Sequence, residues 1–278
     1  MQSSHIKKLS FVAILSVAFS SLTHSADIAR ELRSNTDKNS VPENFFEIGI
    51  NAGVGIGSSL TDEDGKGTGI GINVSGSYNW NDFFIDVGME TSEPLSIGYN
   101  AYKGEDWSFD LMLGATGGGI SKDTDDRFIG ITKRQSSTML GGRLTGYFGQ
   151  NILQVSIKHD ARGRSKGTVA SALLGRNWQV NDWNFHGLAG LTLADAKFND
   201  YYLGVSDAEA AITDFEAYDG KASVSFNSSV GVTYPISESW EFRATAHAGS
   251  NFGYNDSPLF SKKRDFYTGI SSSITYEF

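Results

Sequence analysis

Apolar and polar residues alternate along most of the chain beyond residue 45, and the alternation is clearest near the C-terminus. Between residues 220 and 235, every second side chain is apolar or aromatic except Ser228, and the side chains between them are Lys, Ser, Asn, Gly or Thr. After a turn at 235–238, a similar alternation runs from Trp240 to Ala248 and again over 266–278. A period of two predicts β-strands with one apolar face and one polar face.

The same alternation predicts twelve strands along the chain. Most are long enough to cross a bilayer, which takes roughly 9 to 11 residues of tilted strand. We therefore expect an all-β fold, an antiparallel transmembrane β-barrel of about 12 strands with an apolar outer wall and a polar lumen. The predicted strands are residues 45–57, 66–80, 83–90, 94–102, 105–119, 136–149, 151–159, 166–180, 183–194, 220–235, 238–251 and 265–278.

Tight and longer connections alternate between these strands. Bacterial barrels have short turns on the periplasmic side and longer loops outside, so this order predicts periplasmic termini. The link at 91–93 is as short as the tight turns, which leaves strands three and four less well defined. Arg176 shares the apolar row of strand eight and leaves the register of that strand open. The tight links are 81–82, 103–104, 150, 181–182 and 236–237, and the others are 58–65, 91–93, 120–135, 160–165, 195–219 and 252–264.

The tryptophans divide the chain in the same way. Each lies within a few residues of a tight turn, as expected for an aromatic girdle at one membrane interface. They are Trp80, Trp107, Trp178, Trp183 and Trp240.

The N-terminus has the features of a secretory signal peptide. Lys7 and Lys8 precede an apolar run over 9–19, and small residues follow up to a predicted cleavage site at Ser25-Ala26. No later stretch approaches the roughly 18 apolar residues of a helical span. The predicted organisation is a signal peptide at 1–25, a periplasmic lead-in at 26–44 and an outer-membrane barrel at 45–278.

Composition excludes several classes of function. The net charge of −9 argues against nucleic acid, because surfaces that bind it are basic. The absence of cysteine excludes disulfides and thiol chemistry. A barrel of this kind would meet outer-membrane lipid, lipopolysaccharide and the barrel-assembly machinery. The end of the chain resembles the recognition end of outer-membrane barrels, which makes Ile274, Tyr276 and Phe278 its candidate assembly signal.

Glycine-rich and acidic segments offer little chemistry. Residues 53–57 lie inside an alternating strand, and 65–68 lacks the residues of a P-loop, so neither is expected to hold phosphate. The acidic runs 62–64 and 123–126 fall in predicted outer loops, where they could hold divalent cations that bridge lipopolysaccharide phosphates. Neither run has the ligand spacing of a calcium loop, which favours plain solvated loops. We expect no cofactor and no metal.

A barrel hydrolase would need a His and a Ser or Asp brought together near the outer rim. The predicted mature chain keeps His159, His186 and His247, of which His159 lies beside Asp160 near the outer rim. A twelve-stranded outer-membrane phospholipase has Ser two positions after its His, where this chain has Ala161. His186 and His247 fall in inward rows, where a lumen hydrogen bond explains them. We therefore expect no enzyme activity.

The last third of the chain resembles the MipA/OmpV family of outer-membrane proteins. The resemblance rests on a Tyr-x-Gly-Val-Ser segment, a Tyr-Asp pair, a Trp after the closing turn, a Ser-Pro loop and a terminal aromatic residue. Before this part only the strand rhythm agrees, and Glu277 stands where the family often has a basic residue. The matching residues are Tyr202, Gly204, Val205, Ser206, Tyr218, Asp219, Tyr234, Trp240, Asp256, Ser257, Pro258 and Phe278.

This resemblance implies a scaffold for murein enzymes such as a lytic transglycosylase, or a surface protein, and supplies no catalytic motif. A narrow channel for small solutes is the alternative, and a barrel hydrolase is a weaker one. Charges of both signs in the inward rows either pair across the lumen or line a narrow pore. They are Glu47, Asp86, Glu90, Asp110, Arg143, Lys158, Lys221, Glu241, Arg243 and Glu277.

The longest link, residues 195–219, is the candidate surface loop. A link of this length in a compact domain is usually functional or disordered, and its aromatic residues favour function. We expect Tyr201 and Tyr202 to extend strand nine and the rest to fold over the outer mouth as a plug or binding surface. The candidate residues are Tyr201, Tyr202, Gly204, Val205, Ser206, Tyr218 and Asp219.

Overall fold

The computed structural model describes residues 44–278 apart from 62–63, 89–94 and 117–119, together with Ile28 and Leu32. The predicted signal peptide, most of the lead-in, the acidic residues 62 and 63, Glu90 and the 91–93 link lie outside the described residues. The signal peptide and the lead-in therefore stay predictions.

Among the described residues, twelve strands follow one another along the chain. No helix among the described residues is long and apolar enough to cross a membrane. A 3-10 turn, Asp126–Phe128, and two short helices, Ala196–Leu203 and Asp207–Ala210, lie in the links. The strands are β1 Phe45–Ile56, β2 Lys66–Trp80, β3 Phe83–Gly88, β4 Leu95–Lys103, β5 Trp107–Thr116, β6 Ser137–Phe148, β7 Asn151–Asp160, β8 Thr168–Val180, β9 Trp183–Ala194, β10 Ser223–Pro235, β11 Trp240–Phe252 and β12 Phe266–Glu277.

The strands form one closed barrel in which each pairs with its neighbours along the chain and β12 closes onto β1. All pairs are antiparallel, and the closing pair places Glu47 opposite Glu277. The predicted antiparallel barrel is thereby confirmed. Asn81 and Asn181 adopt left-handed φ values of 53° and 54° in tight turns, a conformation that Asn tolerates better than most residues.

The polarity of the two faces of the wall is the reverse of that in a soluble protein, with apolar residues outside and polar residues inside. In β2, Ile70 points outward and is 76% exposed, whereas the inward Asn73 and Ser77 are buried. The same arrangement recurs around the barrel, so the apolar surface faces out and the polar surface faces the lumen. Because an exposed apolar band of this extent is stable only against lipid, the wall is that of a membrane barrel.

Aromatic side chains gather at the tight-turn end, where the barrel also begins and ends. Trp80, Trp178, Trp183 and Trp240 are exposed there, and Trp107 packs edge-on against Phe148 at 5.3 Å between ring centroids. This is the expected girdle of one membrane interface.

Strand eight has the register that its apolar row indicates. Arg176 points outward with Leu174 and Trp178. It lies opposite Asn151, beside a tight turn, and its Nη2 donates to Gln150 Oε1 at 3.5 Å. The guanidinium is thus near the membrane boundary, where a long basic side chain can reach water or headgroups.

Strand ten begins later than predicted. It starts at Ser223, so Lys221 is an exposed link residue and not a lumen charge, which makes that assignment wrong. The backbone before the strand is held by the preceding link: Asp200 accepts from Gly220 N–H at 2.9 Å and Asn199 Nδ2 donates to the Lys221 carbonyl at 2.6 Å. These bonds occupy groups that a strand ladder would otherwise use.

Candidate functional site

Several long links meet in one apolar cluster at the end of the barrel opposite the tight turns. The inward residues Met139, Val169 and Ala194 form its floor, so the links pack directly onto the lumen mouth. We call this cluster the loop cap. Its other buried members are Ile120, Phe128, Ile131, Phe198, Tyr202, Leu203, Val205, Leu259 and Phe260, with Leu60 among the partly buried residues packed against it.

The link 195–219 forms the centre of the loop cap, but as a helix and not as a strand. Asp195 caps the helix Ala196–Leu203 by accepting from Phe198 N–H, and it also accepts from Thr168 N–H at 2.9 Å. The expectation that Tyr201 and Tyr202 extend strand nine is therefore wrong. The helical spacing instead brings Phe198 and Tyr202 onto one side, with ring centroids 4.8 Å apart.

The Tyr202 hydroxyl joins this helix to the barrel rim. It accepts from Ser137 N–H at 2.8 Å and lies 2.8 Å from Ser137 Oγ, 3.0 Å from the Thr116 carbonyl and 3.3 Å from the Gln135 carbonyl. Burial raises the pKa of Tyr202 above its usual value. Tyr201 lies closer to the surface, where its hydroxyl accepts from Gln135 N–H at 3.1 Å.

A buried carboxylate holds the outer part of the same link. Glu209 accepts from Thr132 N–H at 2.8 Å and from Ser206 N–H and Oγ at 3.0 Å each, and it pairs with Arg134 Nη2 at 3.2 Å. Burial alone would raise the pKa of Glu209, but the hydrogen bonds from Ser206, Thr132 and Arg134 lower it to about 2. Arg134 also donates to the Gly204 carbonyl at 2.9 Å, which ties two links together.

A small polar cleft of about 290 Å³ opens beside this carboxylate. Six of the seven candidate loop residues line it, and the seventh, Tyr202, lies beneath in the loop cap. A two-stranded bridge between Val205 and Tyr218 holds the lining in place. Arg134 and Glu209 were not among the predicted site residues, although Ser206-x-x-Glu209 matches a capping box in the sequence. The lining shared with the candidate loop is Tyr201, Gly204, Val205, Ser206, Tyr218 and Asp219.

Charged groups in the lumen pair with one another. Arg243 reaches past β12 to Glu47 with two bonds of 2.8 and 2.9 Å and also contacts Glu241. On the other side, Arg143 donates to Asp110 at 2.8 and 2.9 Å. Asp110 and Arg143 lie on the adjacent strands β5 and β6, and Glu47 and Arg243 are separated only by β12, so both pairs run along the wall and do not cross the lumen.

The histidines lie apart from one another in the wall. His159 points outward and contacts Thr168 at 3.0 Å, whereas Asp160 next to it points inward. His186 and His247 face the lumen, and the glycines opposite them, Gly231 and Gly269, leave the space that each imidazole fills.

The described acidic residues of link 120–135 contact neighbouring groups of the protein. Asp125 caps the 3-10 turn by accepting from Arg127 N–H at 2.9 Å, and Asp123 lies 3.9 Å from Lys133. Within the part of the chain that the structure describes, no group of three or more His, Asp or Glu residues is placed to hold a metal ion.

A closed antiparallel barrel of twelve strands, with an apolar outer wall, a polar lumen and aromatic residues at one rim, is an outer-membrane β-barrel protein. The family model described as MltA-interacting protein MipA matches residues 50–278. The chain belongs to this family, which confirms the resemblance in its last third.

Two relatives agree with this assignment. Outer membrane protein OmpV of Vibrio cholerae is 24% identical over 225 residues, and Omp26La of Vibrio anguillarum is 25% identical over 225 residues. Each match spans 73% of this chain and 84% of the relative. A solved homologue of FadL from Pseudomonas aeruginosa aligns over 85% of this chain and 91% of its own, with 9% identity and a TM-score of 0.41, and adds nothing to the assignment.

Proposed function

We propose that this protein is a non-enzymatic scaffold in the outer membrane. The observation that carries the proposal is the loop cap, in which four long links contribute apolar side chains to one cluster at the lumen mouth. Phe128 and Leu259 are 0% exposed in it, so solute passage through the cluster would require unpacking it. A covered mouth favours a structural role over transport.

The partner we propose is a murein enzyme of the lytic transglycosylase class. The name of the family describes interaction with MltA, and the predicted topology turns the tight-turn end toward the periplasm, where murein lies. Asp182 is exposed in one of these turns, and Ile212 is exposed at the opposite end. A probe at Asp182 therefore reports on partners at the tight-turn end, and a probe at Ile212 reports on partners at the loop-cap end.

Photo-crosslinking in cells tests this proposal. A photoreactive amino acid at Asp182 should capture a murein enzyme, identified by mass spectrometry, and the same group at Ile212 should not. Capture of no murein enzyme from Asp182 or from any other tight turn would refute the scaffold proposal.

A narrow channel for small solutes is the second candidate, and one part of the lumen favours it. Gly53 and Gly69 face the lumen from β1 and β2, and a Cβ at Gly69 would meet nothing within 4 Å. Ser271 in β12 is also exposed on its inward side. This wall leaves space for water, and conductance measurements distinguish it from a closed barrel.

A barrel hydrolase has less support. His159 and Asp160 point to opposite sides of the wall, so they cannot act together on one substrate. Turnover of phospholipid or murein peptide by the purified protein would establish such an activity and contradict the scaffold proposal in its non-enzymatic form.

A further inference from the structure

Two residues that precede the barrel in sequence lie packed against its inner wall. Ile28 and Leu32 are both helical, and both are 0% exposed. They form a cluster with Ile152, Leu173 and Leu188. This cluster is separate from the loop cap and involves other residues.

The barrel residues of this cluster face the lumen. Ile152 belongs to the inward row of β7 with the buried Gln154, and Leu188 belongs to the inward row of β9 with the buried His186. Ile152 is the second residue of β7 and lies next to the tight turn that precedes this strand. The cluster therefore occupies the tight-turn half of the lumen.

Leu32 meets the inner wall of the barrel through a hydrogen bond as well as through close packing. Asn184, buried near the start of β9, donates its Nδ2 to the Leu32 carbonyl at 2.9 Å. Residues four apart share one face of a helix, so Ile28 and Leu32 can both reach the wall. Gly175 makes room for them, because a Cβ there would lie 2.4 Å from Leu32 Cδ1.

An apolar patch is unusual in a lumen whose other described residues are mostly polar. Leu173 in β8 and Leu188 in β9 stand in inward rows, next in those rows to the buried polar residues Ser171 and His186. Without an occupant, these side chains would be exposed to water in the lumen, at a cost that burial against another apolar group removes.

We propose that this patch is a binding site for the apolar face of a short helix and that the segment bearing Ile28 and Leu32 is its resident ligand. We call the patch the lumen seat; it consists of Tyr147, Ile152, Leu173, Gly175 and Leu188. The lumen seat anchors the N-terminal segment inside the barrel at the end opposite the loop cap. The inference does not depend on the scaffold proposal, since it concerns only what occupies the lumen.

Disulfide trapping tests the lumen seat directly, because the chain has no cysteine of its own. In the double variant Leu32→Cys/Gly175→Cys, the new Cβ at 175 would start 3.2 Å from the position of Leu32 Cγ. Leu32 Cγ marks the place of the new sulfur at position 32, and in a disulfide, with its S–S bond of about 2 Å, each sulfur lies about 3 Å from the partner's Cβ, so this separation suits a disulfide. The matched control is Leu32→Cys/Gly69→Cys, because position 69 faces the lumen from β2 and tolerates a side chain.

Folded protein from outer membranes, identified by its heat-modifiable gel mobility, is oxidised and run without reductant. We expect at least tenfold more internal crosslink in the 32/175 pair than in the 32/69 pair. Equal yields in the two pairs would overturn the proposal.

Alkylation of the single variant Leu32→Cys gives a second measurement that needs no change at Gly175. In the folded protein, Cys at position 32 should react with a water-soluble maleimide at least tenfold more slowly than in urea. Adding Leu188→Asp should remove most of that protection. Fast alkylation in the folded single variant would likewise overturn the proposal.

Discussion

The Tyr202 hydroxyl gives the sharpest test of how the loop cap is held on the barrel. Tyr202→Phe removes one oxygen and keeps the ring that packs on Phe198. Ser137 is 0% exposed, and in this variant its N–H loses its acceptor. The Thr116 carbonyl loses a donor. A buried polar group left without a partner costs about 1–3 kcal/mol, so we expect the loop cap to lose about 2 kcal/mol.

Tyr201→Phe is the matched control, because it removes the same atom from the neighbouring residue. The bond from Gln135 N–H to the Tyr201 hydroxyl lies near the surface, where water replaces it, so its loss should cost less than about 0.5 kcal/mol.

Amide hydrogen exchange of the protein in detergent micelles, followed by mass spectrometry, measures the opening of residues 196–205. A loss of about 2 kcal/mol corresponds to roughly 30-fold faster exchange through local opening. The strands should be unaffected in both variants. Exchange within threefold of the parent for Tyr202→Phe, or equal effects of the two variants, would refute this account of the loop cap.

Three further changes probe other parts of the molecule. Because the pKa of Glu209 is lowered from 4.5 to about 2, its charge stabilises the loop cap above pH 4.5, and about 3 kcal/mol of that stability is lost as the pH falls toward 2. Hydrogen exchange of the loop cap should therefore become faster between pH 6 and pH 3 in the parent, after correction for the intrinsic exchange rate, and not in Glu209→Gln. Arg243→Leu removes the cation beside the buried Glu47 and should lower the free energy of unfolding in urea by about 3–5 kcal/mol, whereas Arg243→Lys should lower it less. Equal urea midpoints for Arg243→Leu and the parent would contradict a stabilising role of the pair. Phe278 packs on Phe46, with ring centroids 5.5 Å apart, and ends the predicted assembly signal. Its deletion should lower the amount of protein in the outer membrane severalfold, as measured by immunoblots of membrane fractions. An unchanged amount would contradict a role of Phe278 in assembly.

The barrel could be predicted from the sequence because lipid on one side and a polar lumen on the other impose a strict period of two. In β2 the alternation of Ile70, Ile72 and Val74 with glycine, Asn and Ser appears directly as outward and inward rows. Strand ends were found within three residues because Gly, Asn and Asp mark the tight turns. The outward position of Arg176 follows from the same parity.

The loop cap could be predicted only in part, because its contacts join links that are distant in sequence. Tyr201, Tyr202 and Leu203 favour a strand when taken alone, and only six residues separate them from β9. The Asp195 cap and the Phe198–Tyr202 spacing carried the competing helical signal, and packing on the lumen mouth decided the outcome. The pairing of Arg134 with Glu209 spans 75 positions and has no local signature.

The lumen seat left a weaker trace in the sequence. Leu173 and Leu174 are adjacent, so one of them must face the lumen whichever register the strand adopts. An inward leucine indicates an apolar neighbour inside the barrel, but nothing in the pattern says that Ile28 and Leu32 provide it.

Conductance in a planar bilayer tests the central claim, that the loop cap and the residues held in the lumen seat together close this barrel. We predict that the purified protein inserts without discrete current steps. A variant in which residues 207–216 are replaced by a short Gly-Ser turn, combined with Ile28→Ser and Leu32→Ser, should show steps. Stable steps from the unaltered protein would contradict the claim and favour the narrow channel along the glycine-lined wall.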